Sequence, residues 1–166
     1  MSIVVARVKE NGYEMASDSI LITGFTQDKG ARTSHSKMFS VNGMDIGGVG
    51  VCKEISWLKL YSATTKPAEP TESAVLEWYF GFIDFLKKKL GKEDIEIENN
   101  YLLGYGGKVF QICDSFVDVV KTFSAIGAGA DFALAALHLG HSAAESVKVA
   151  CDLSIQCEEP VVLITR

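Results

Sequence analysis

An amide-cleaving protein needs a nucleophile, a base, an oxyanion donor and a group that tunes the base. The 166 residues offer few ways to assemble that set. There is no G-x-S-x-G elbow. Cys52, Cys113, Cys151 and Cys157 are scattered, with no C-x-x-C pair and no Cys/His cluster at metal-ligand spacing. His138 and His141 fall near a predicted helix end without a cysteine motif beside them, so no structural zinc site is expected. Ser2 offers a different route. Removal of Met1, which a small second residue favours, would leave a hydroxyl and a free α-amine on one residue. An α-amine titrates near ~8 in the absence of perturbation, which suits general-base work at neutral pH. Met-Ser beginnings are common, and the plain alternative is a small residue on an exposed N-terminus.

Two glycine-rich stretches invite a nucleotide reading and fail it. Gly127-Ala128-Gly129-Ala130-Asp131-Phe132 begins like a dinucleotide fingerprint, but Phe132 stands where a third glycine must allow close helix–strand packing. Gly104-Tyr105-Gly106-Gly107-Lys108 lacks the Ser/Thr and the helix of a phosphate loop, and a hairpin turn accounts for it. No cofactor is expected. The net charge of −5 and pI near 5.2 argue against a nucleic-acid binder, which needs a basic face. Lys87-Lys88-Lys89, the densest basic run, reads as the last turn of a helix, where it complements the dipole. No apolar run approaches the ~20 residues of a membrane span, and no signal peptide is visible. The expectation is a soluble cytoplasmic protein with free, buried thiols.

The chain length suits one domain over residues 1–166 with one buried core. Ser2 to Lys9 reads as a strand, Asn11-Gly12 as a hairpin turn, and Tyr13 to Ser19 as its partner. Thr23 to Ser36 is polar and reads as a loop. Lys37 to Val41 and Met44 to Val49 form a second hairpin around Asn42-Gly43, closed by Gly47-Gly48-Val49-Gly50. Helices are predicted from Lys53 to Tyr61 and from a Thr71 cap to Gly91, the second with Val75, Tyr79, Ile83, Leu86 and Leu90 at helical spacing. Tyr101 to Tyr105 and Lys108 to Cys113 make a third hairpin, and one more strand lies within Val117 to Ile126. Two helices follow, Asp131 to Leu139 and one from the Ser142/Glu145 capping box to about Gln156, then a strand from Pro160 to Thr165. Hairpins imply antiparallel sheets, and helices in consecutive pairs argue against a doubly wound parallel sheet. Two packed sheets with a helix pair on each outer face would bury every apolar stripe.

Four segments in this order resemble the proteasome β-subunit and HslV peptidase family of N-terminal nucleophile hydrolases. Ala16-Ser17-Asp18-Ser19 is similar to the family's Ala-x-Asp-Ser element. Ser36-Lys37-Met38-Phe39 is similar to its lysine-bearing strand, and Ile46-Gly47-Gly48-Val49-Gly50 to its small-residue loop. Ala125-Ile126-Gly127-Ala128-Gly129, with Phe132 to Leu137, resembles its Ala-Ile-Gly-Ser-Gly element and following helix, and Ala150-Cys151-Asp152-Leu153 resembles HslV. The resemblance spans nearly the whole chain. It implies an α+β, four-layer αββα sandwich, in agreement with the element order. It places Ser2 at the nucleophile, where the family usually has Thr, Lys37 at the lysine that lowers the nucleophile's pKa, Asp18 at the carboxylate orienting that lysine, and Gly50 at the oxyanion N–H. It also implies a homo-oligomeric ring that hides its sites in a chamber, a polypeptide substrate, and an ATP-dependent unfoldase as a candidate partner. One departure matters. The family's Ser between two glycines is Ala128 here, so either the site is disabled or another hydroxyl such as Ser154 replaces it.

Hairpin parity supplies a structural expectation. A two-residue Asn11-Gly12 turn pairs Val5 with Asp18 and puts Ser2 on the opposite face. A three-residue loop, Glu10 to Gly12, pairs Val4 with Asp18 and puts both polar groups on one face. The catalytic reading therefore expects the three-residue loop or an equivalent bulge. Two functional readings follow: a serine-type N-terminal nucleophile endopeptidase subunit, or an inactive proteasome-like ring subunit, which Ala128 or a retained Met1 would favour. A hydrolase of non-peptide amides is a third.

Overall fold

A computed structural model describes residues 2–28 and 34–166. The strands Ile3–Lys9 (β1) and Gly12–Ser17 (β2) form the first hairpin. A small hairpin, Leu21–Thr23 (β3) and Thr26–Asp28 (β4), follows, then Met38–Val41 (β5) and Met44–Val49 (β6). Helices Cys52–Ser62 (α1) and Glu72–Leu90 (α2) lead to Asn100–Tyr105 (β7), Lys108–Cys113 (β8), Phe116–Val120 (β9) and Phe123–Gly127 (β10). Helices Ala130–His138 (α3) and Ala143–Leu153 (α4) precede the last strand, Val162–Thr165 (β11).

The strands form an antiparallel four-stranded sheet, β10-β1-β2-β11, and an antiparallel five-stranded sheet, β5-β6-β7-β8-β9. Their inner faces meet through Val4, Ala6, Met15, Met38, Leu102 and Val109. Helices α3 and α4 cover the outer face of the first sheet through Ala133, Leu137, Val147 and Ala150, against Ile3, Val5 and Ala16. Helices α1 and α2 cover the second through Leu58, Val75, Tyr79, Phe82 and Leu86, against Ile46, Tyr101, Leu103 and Phe110. This is the expected αββα sandwich. Alternation along β1 explains how one strand feeds two apolar layers: Ile3 and Val5 face the helices, Val4 and Ala6 the other sheet.

Local signals end several elements as expected. Thr71 accepts the Ala74 N–H at 3.4 Å, Gly91 closes α2 in the left-handed conformation at φ 63°, and Ser142 and Glu145 complete the capping box of α4. Helix α4 stops at Leu153, short of Gln156, because Ser154 turns extended and its Oγ accepts the Gln156 N–H at 3.2 Å. Two readings need correction. The loop expected from Thr23 to Ser36 contains β4, paired to β3 around Gly24-Phe25; residues 29–33 of it lie outside the described residues. The stretch Val117 to Ile126 holds parts of two strands in different sheets, β9 beside β8 and β10 beside β1, with the chain crossing between sheets at Lys121-Thr122.

The register of the first hairpin matches neither expectation. Lys9 pairs with Gly12 and Val4 with Ser17, so the turn is Glu10-Asn11 and Gly12 opens β2 at φ 131°. A side chain at Gly12 would land 2.1 Å from the Arg166 carbonyl oxygen, which accepts the Tyr13 N–H at 3.2 Å. Gly12 is therefore spent on the approach of the chain's last residue and on its own positive φ, instead of on the turn.

Candidate active site

Asp18 lies one residue beyond the end of β2, so the parity of the ladder no longer fixes its direction. Its carboxylate folds back across β1: Oδ1 accepts the Ile3 N–H at 2.9 Å and the Lys37 Nζ–H at 2.6 Å. Oδ2 accepts the Glu158 N–H at 3.3 Å and faces the Ile20 N–H at 3.4 Å. Asp18 and Lys37 are 1% and 3% exposed, so this ion pair is shielded from water. Such a pair holds only when its other lone pairs are satisfied, and the backbone N–H groups of Ile3 and Glu158 do that. Lys37 is the residue just before β5, and its carbonyl accepts the Gly48 N–H at 2.9 Å, locking that backbone to β6. Burial pushes the Lys37 ammonium below the ordinary lysine range, while Asp18, close enough to hydrogen-bond, pulls it back up.

Ser2, itself 5% exposed, lines one pocket together with Lys37 and Gly50. Ile20 and Ile55 give that pocket apolar walls, and His35 and Cys52 add polar ones. The four expected site residues are thus brought together, by a route the hairpin parity did not anticipate. Met1 lies outside the described residues.

The Gly127-Ala128-Gly129 segment grips the backbone of Ser2. Gly127 sits at φ 109° opposite Ile3, where a Cβ would be 2.3 Å from the Ser2 carbonyl oxygen. The Gly129 N–H donates to that same oxygen at 3.4 Å, and a Cβ on Gly129 would be 2.6 Å from Cys157 Sγ. The motif that begins like a nucleotide fingerprint is therefore occupied by the chain's own second residue. Ser154, the alternative hydroxyl to the missing one at Ala128, caps the C-terminal end of α4. On the other side, Gly47 and Gly48 let layers approach: a Cβ would be 2.6 Å from Val4 Cγ1 at the first and 2.9 Å from the Tyr101 ring at the second.

The thiols around the ion pair ionise less readily than an exposed cysteine. Burial, reinforced by the charge of Asp18, pushes Cys151 up to about 12 and raises Cys157 as well. All four cysteines are free. His35 on the pocket wall is held below its ordinary value, by burial first and then by the charge of Lys37.

Two residues beside the pocket escaped the sequence reading. Asn99, just before β7, reaches across to the Gly50-Val51 loop, accepting the Val51 N–H at 2.5 Å and donating to the Val51 carbonyl at 3.0 Å. Glu54, in the first turn of α1, accepts the Asn99 and Glu98 N–H groups at 3.1 and 3.2 Å. Burial raises the pKa of Glu54, and those two N–H groups oppose the rise. No motif marks either residue, because each acts on backbone more than 40 positions away in the chain.

No family model and no curated protein sequence matches this chain. Solved structures do. BPH from Thiobacillus denitrificans, in complex with epoxomicin, superimposes with a TM-score of 0.88 at 18% identity, over 99% of this chain and 97% of that one. Anbu, as a Gly-1 mutant, from Hyphomicrobium sp. strain MC1 gives 0.74 at 13% identity, over 100% and 82%. Eukaryotic HslV from Trypanosoma brucei gives 0.68 at 17% identity, over 98% of both chains. The chain has the fold of proteasome-like and HslV proteins. Among the described residues no helix is long and apolar enough to cross a membrane.

Proposed function

We propose that this chain is a serine-type N-terminal nucleophile peptidase subunit, a single proteasome-like domain that cleaves peptide bonds with Ser2 once Met1 has been removed. The observation that carries the reading is the buried Asp18–Lys37 pair opening into the same pocket as Ser2 and Gly50. A buried lysine beside a cavity is costly to maintain and serves no packing purpose that an apolar side chain would not serve better.

The α-amine of Ser2 takes the Oγ proton, and Oγ attacks the substrate carbonyl carbon. The Lys37 ammonium favours the alkoxide electrostatically, and Asp18 keeps Lys37 charged and aimed. Negative charge on the carbonyl oxygen is met by the Gly50 N–H. Collapse breaks the C–N bond, the α-ammonium returns its proton to the departing amine, and an ester to Ser2 remains. Water, deprotonated by the same α-amine, attacks that ester and releases the acid.

Epoxomicin is bound by BPH, whose fold this chain shares along its length, which supports a peptidic ligand here too. The same likeness supports a homo-oligomeric, cytoplasmic ring with its sites facing a chamber and an unfoldase delivering polypeptide. The test is hydrolysis of a panel of fluorogenic peptides by protein verified to begin at Ser2. Turnover that disappears in Ser2→Ala supports the reading, and turnover that survives the substitution refutes it. Ala128 favours a second reading, an inactive ring subunit with the same fold. That reading expects assembled rings with no turnover and a retained Met1.

A further inference from the structure

We propose that Asn99 is a positioning residue that fixes the direction of the Gly50 N–H by clamping the next peptide, with Glu54 holding Asn99 in place. This rests on the reading of Gly50 as the oxyanion donor. The clamp is two-point: Oδ1 accepts from the Val51 N–H at 2.5 Å and Nδ2 donates to the Val51 carbonyl at 3.0 Å. Reversing the amide would set donor against donor and acceptor against acceptor, so the hydrogen bonds themselves assign its orientation. The Val51 N–H belongs to the peptide whose carbonyl is that of Gly50. Peptide planarity therefore turns the Gly50 carbonyl away from Asn99. On the other side of Gly50, the pairing of Val49 with Asn100 fixes the strand end. With both flanking peptides held, the N–H of Gly50 has one direction.

The glycine is part of the device. At φ 127°, a Cβ on residue 50 would sit 2.1 Å from Asn99 Oδ1, so only glycine coexists with the clamp. Asn99 and Glu54 are each 1% exposed. Glu54 accepts the Asn99 N–H at 3.1 Å, and its own N–H donates to the Val51 carbonyl at 3.1 Å. Val51, Glu54 and Asn99 thus form a closed circuit linking α1, β7 and the loop. A buried carboxylate and a buried amide need partners wherever they sit. Here those partners are the backbone of the pocket wall, and α1 has no side-chain N-cap of its own.

The test compares wild type with Asn99→Ala, Asn99→Asp, Glu54→Ala and Glu54→Gln, reading kcat and KM separately and the exchange rate of the Val51 amide. Losing the direction of one oxyanion donor lowers kcat by roughly 10- to 100-fold, with KM within about threefold. Asn99→Asp behaves like Asn99→Ala, because it removes the donor to the Val51 carbonyl at nearly unchanged size, and it carries the test if the alanine variant does not fold. Glu54→Gln keeps an acceptor and retains most of the turnover that Glu54→Ala loses. In the Asn99 variants the Val51 amide exchanges at least roughly tenfold faster, while Leu102 and Leu103 in β7 keep their protection. Wild-type kcat in folded Asn99 variants overturns the proposal. Should wild type itself be inactive, it is the nucleophile reading that falls, and an unchanged Val51 exchange rate would then overturn the clamp on its own.

Discussion

Asp18 and Asp45 are two buried aspartates that each meet a cation, one toward either end of β2, and their surroundings differ. Asp45, 2% exposed, accepts from Tyr13 Oη at 2.8 Å, Ser40 Oγ at 2.5 Å and Arg166 Nη2 at 2.8 Å. Asp18 accepts from Lys37 and from the backbone of Ile3 and Glu158. The Arg166 side chain is 53% exposed, whereas that of Lys37 is 3% exposed. Around Asp45 the partners tie β2, β5, β6 and the end of the chain together, and burial and Asp45 raise the pKa of the Tyr13 hydroxyl. Around Asp18 the partners leave the lysine facing a pocket that also contains a hydroxyl residue and a glycine. A buried carboxylate–cation pair is thus no sign of chemistry by itself. What separates the two is a cavity shared with a nucleophile candidate.

Substitutions at the two ends should separate them. Ser2→Ala is expected to cost at least ~10⁴-fold in turnover, read on the best peptide, with little change in stability. Lys37→Met removes one partner of the buried pair. It should lower turnover at least about 100-fold and cost roughly 3–5 kcal/mol by leaving the Asp18 charge uncompensated, as denaturant unfolding would report. At the other end, Tyr13→Phe should cost about 1 kcal/mol and leave turnover unchanged. Loss of turnover in Tyr13→Phe, comparable to that of Lys37→Met, would erase the distinction.

The pH dependence sharpens the same contrast. In the proposed mechanism Lys37 assists Ser2 only while charged, and burial lowers its pKa in the folded state. As pH rises, its proton leaves before that of a solvated lysine, which titrates near ~10.4. An alkaline fall in kcat/KM is therefore expected below ~10.4, and Lys37→Arg should push that limb upward. In the same window the unfolded chain binds more protons than the native one. Lys37's contribution to stability therefore rises as pH climbs through it.

Much of this was legible in the sequence, and the exceptions share a cause. Asp18, Lys37 and Gly50 sit in short motifs, Ser2 stands out by its place after Met1, and helix ends such as Thr71, Gly91 and Ser142 have local signals that the structure honours. The hairpin register was misread because Asn11-Gly12 is a strong turn signal locally, whereas Gly12 answers to Arg166, at the far end of the chain. The passage from β9 to β10 was missed because Lys121-Thr122 changes sheets without a glycine or proline to mark it. Asn99 and Glu54 were invisible because their partners are backbone groups of distant segments. What is local in energy can be read from sequence; what is set by long-range backbone contact cannot.

The proposed mechanism requires both the hydroxyl and the free amine of Ser2. An epoxyketone such as epoxomicin reports on both at once, since stable capture needs Oγ to add to the ketone and the amine to open the epoxide. Intact mass and N-terminal sequencing of protein from its native host, after incubation with epoxomicin, should show a chain beginning at Ser2. The adduct should carry the full mass of the reagent and be absent in Ser2→Ala. A chain that begins at Ser2 and gains no mass, or one that keeps Met1 and gains none, would contradict the account.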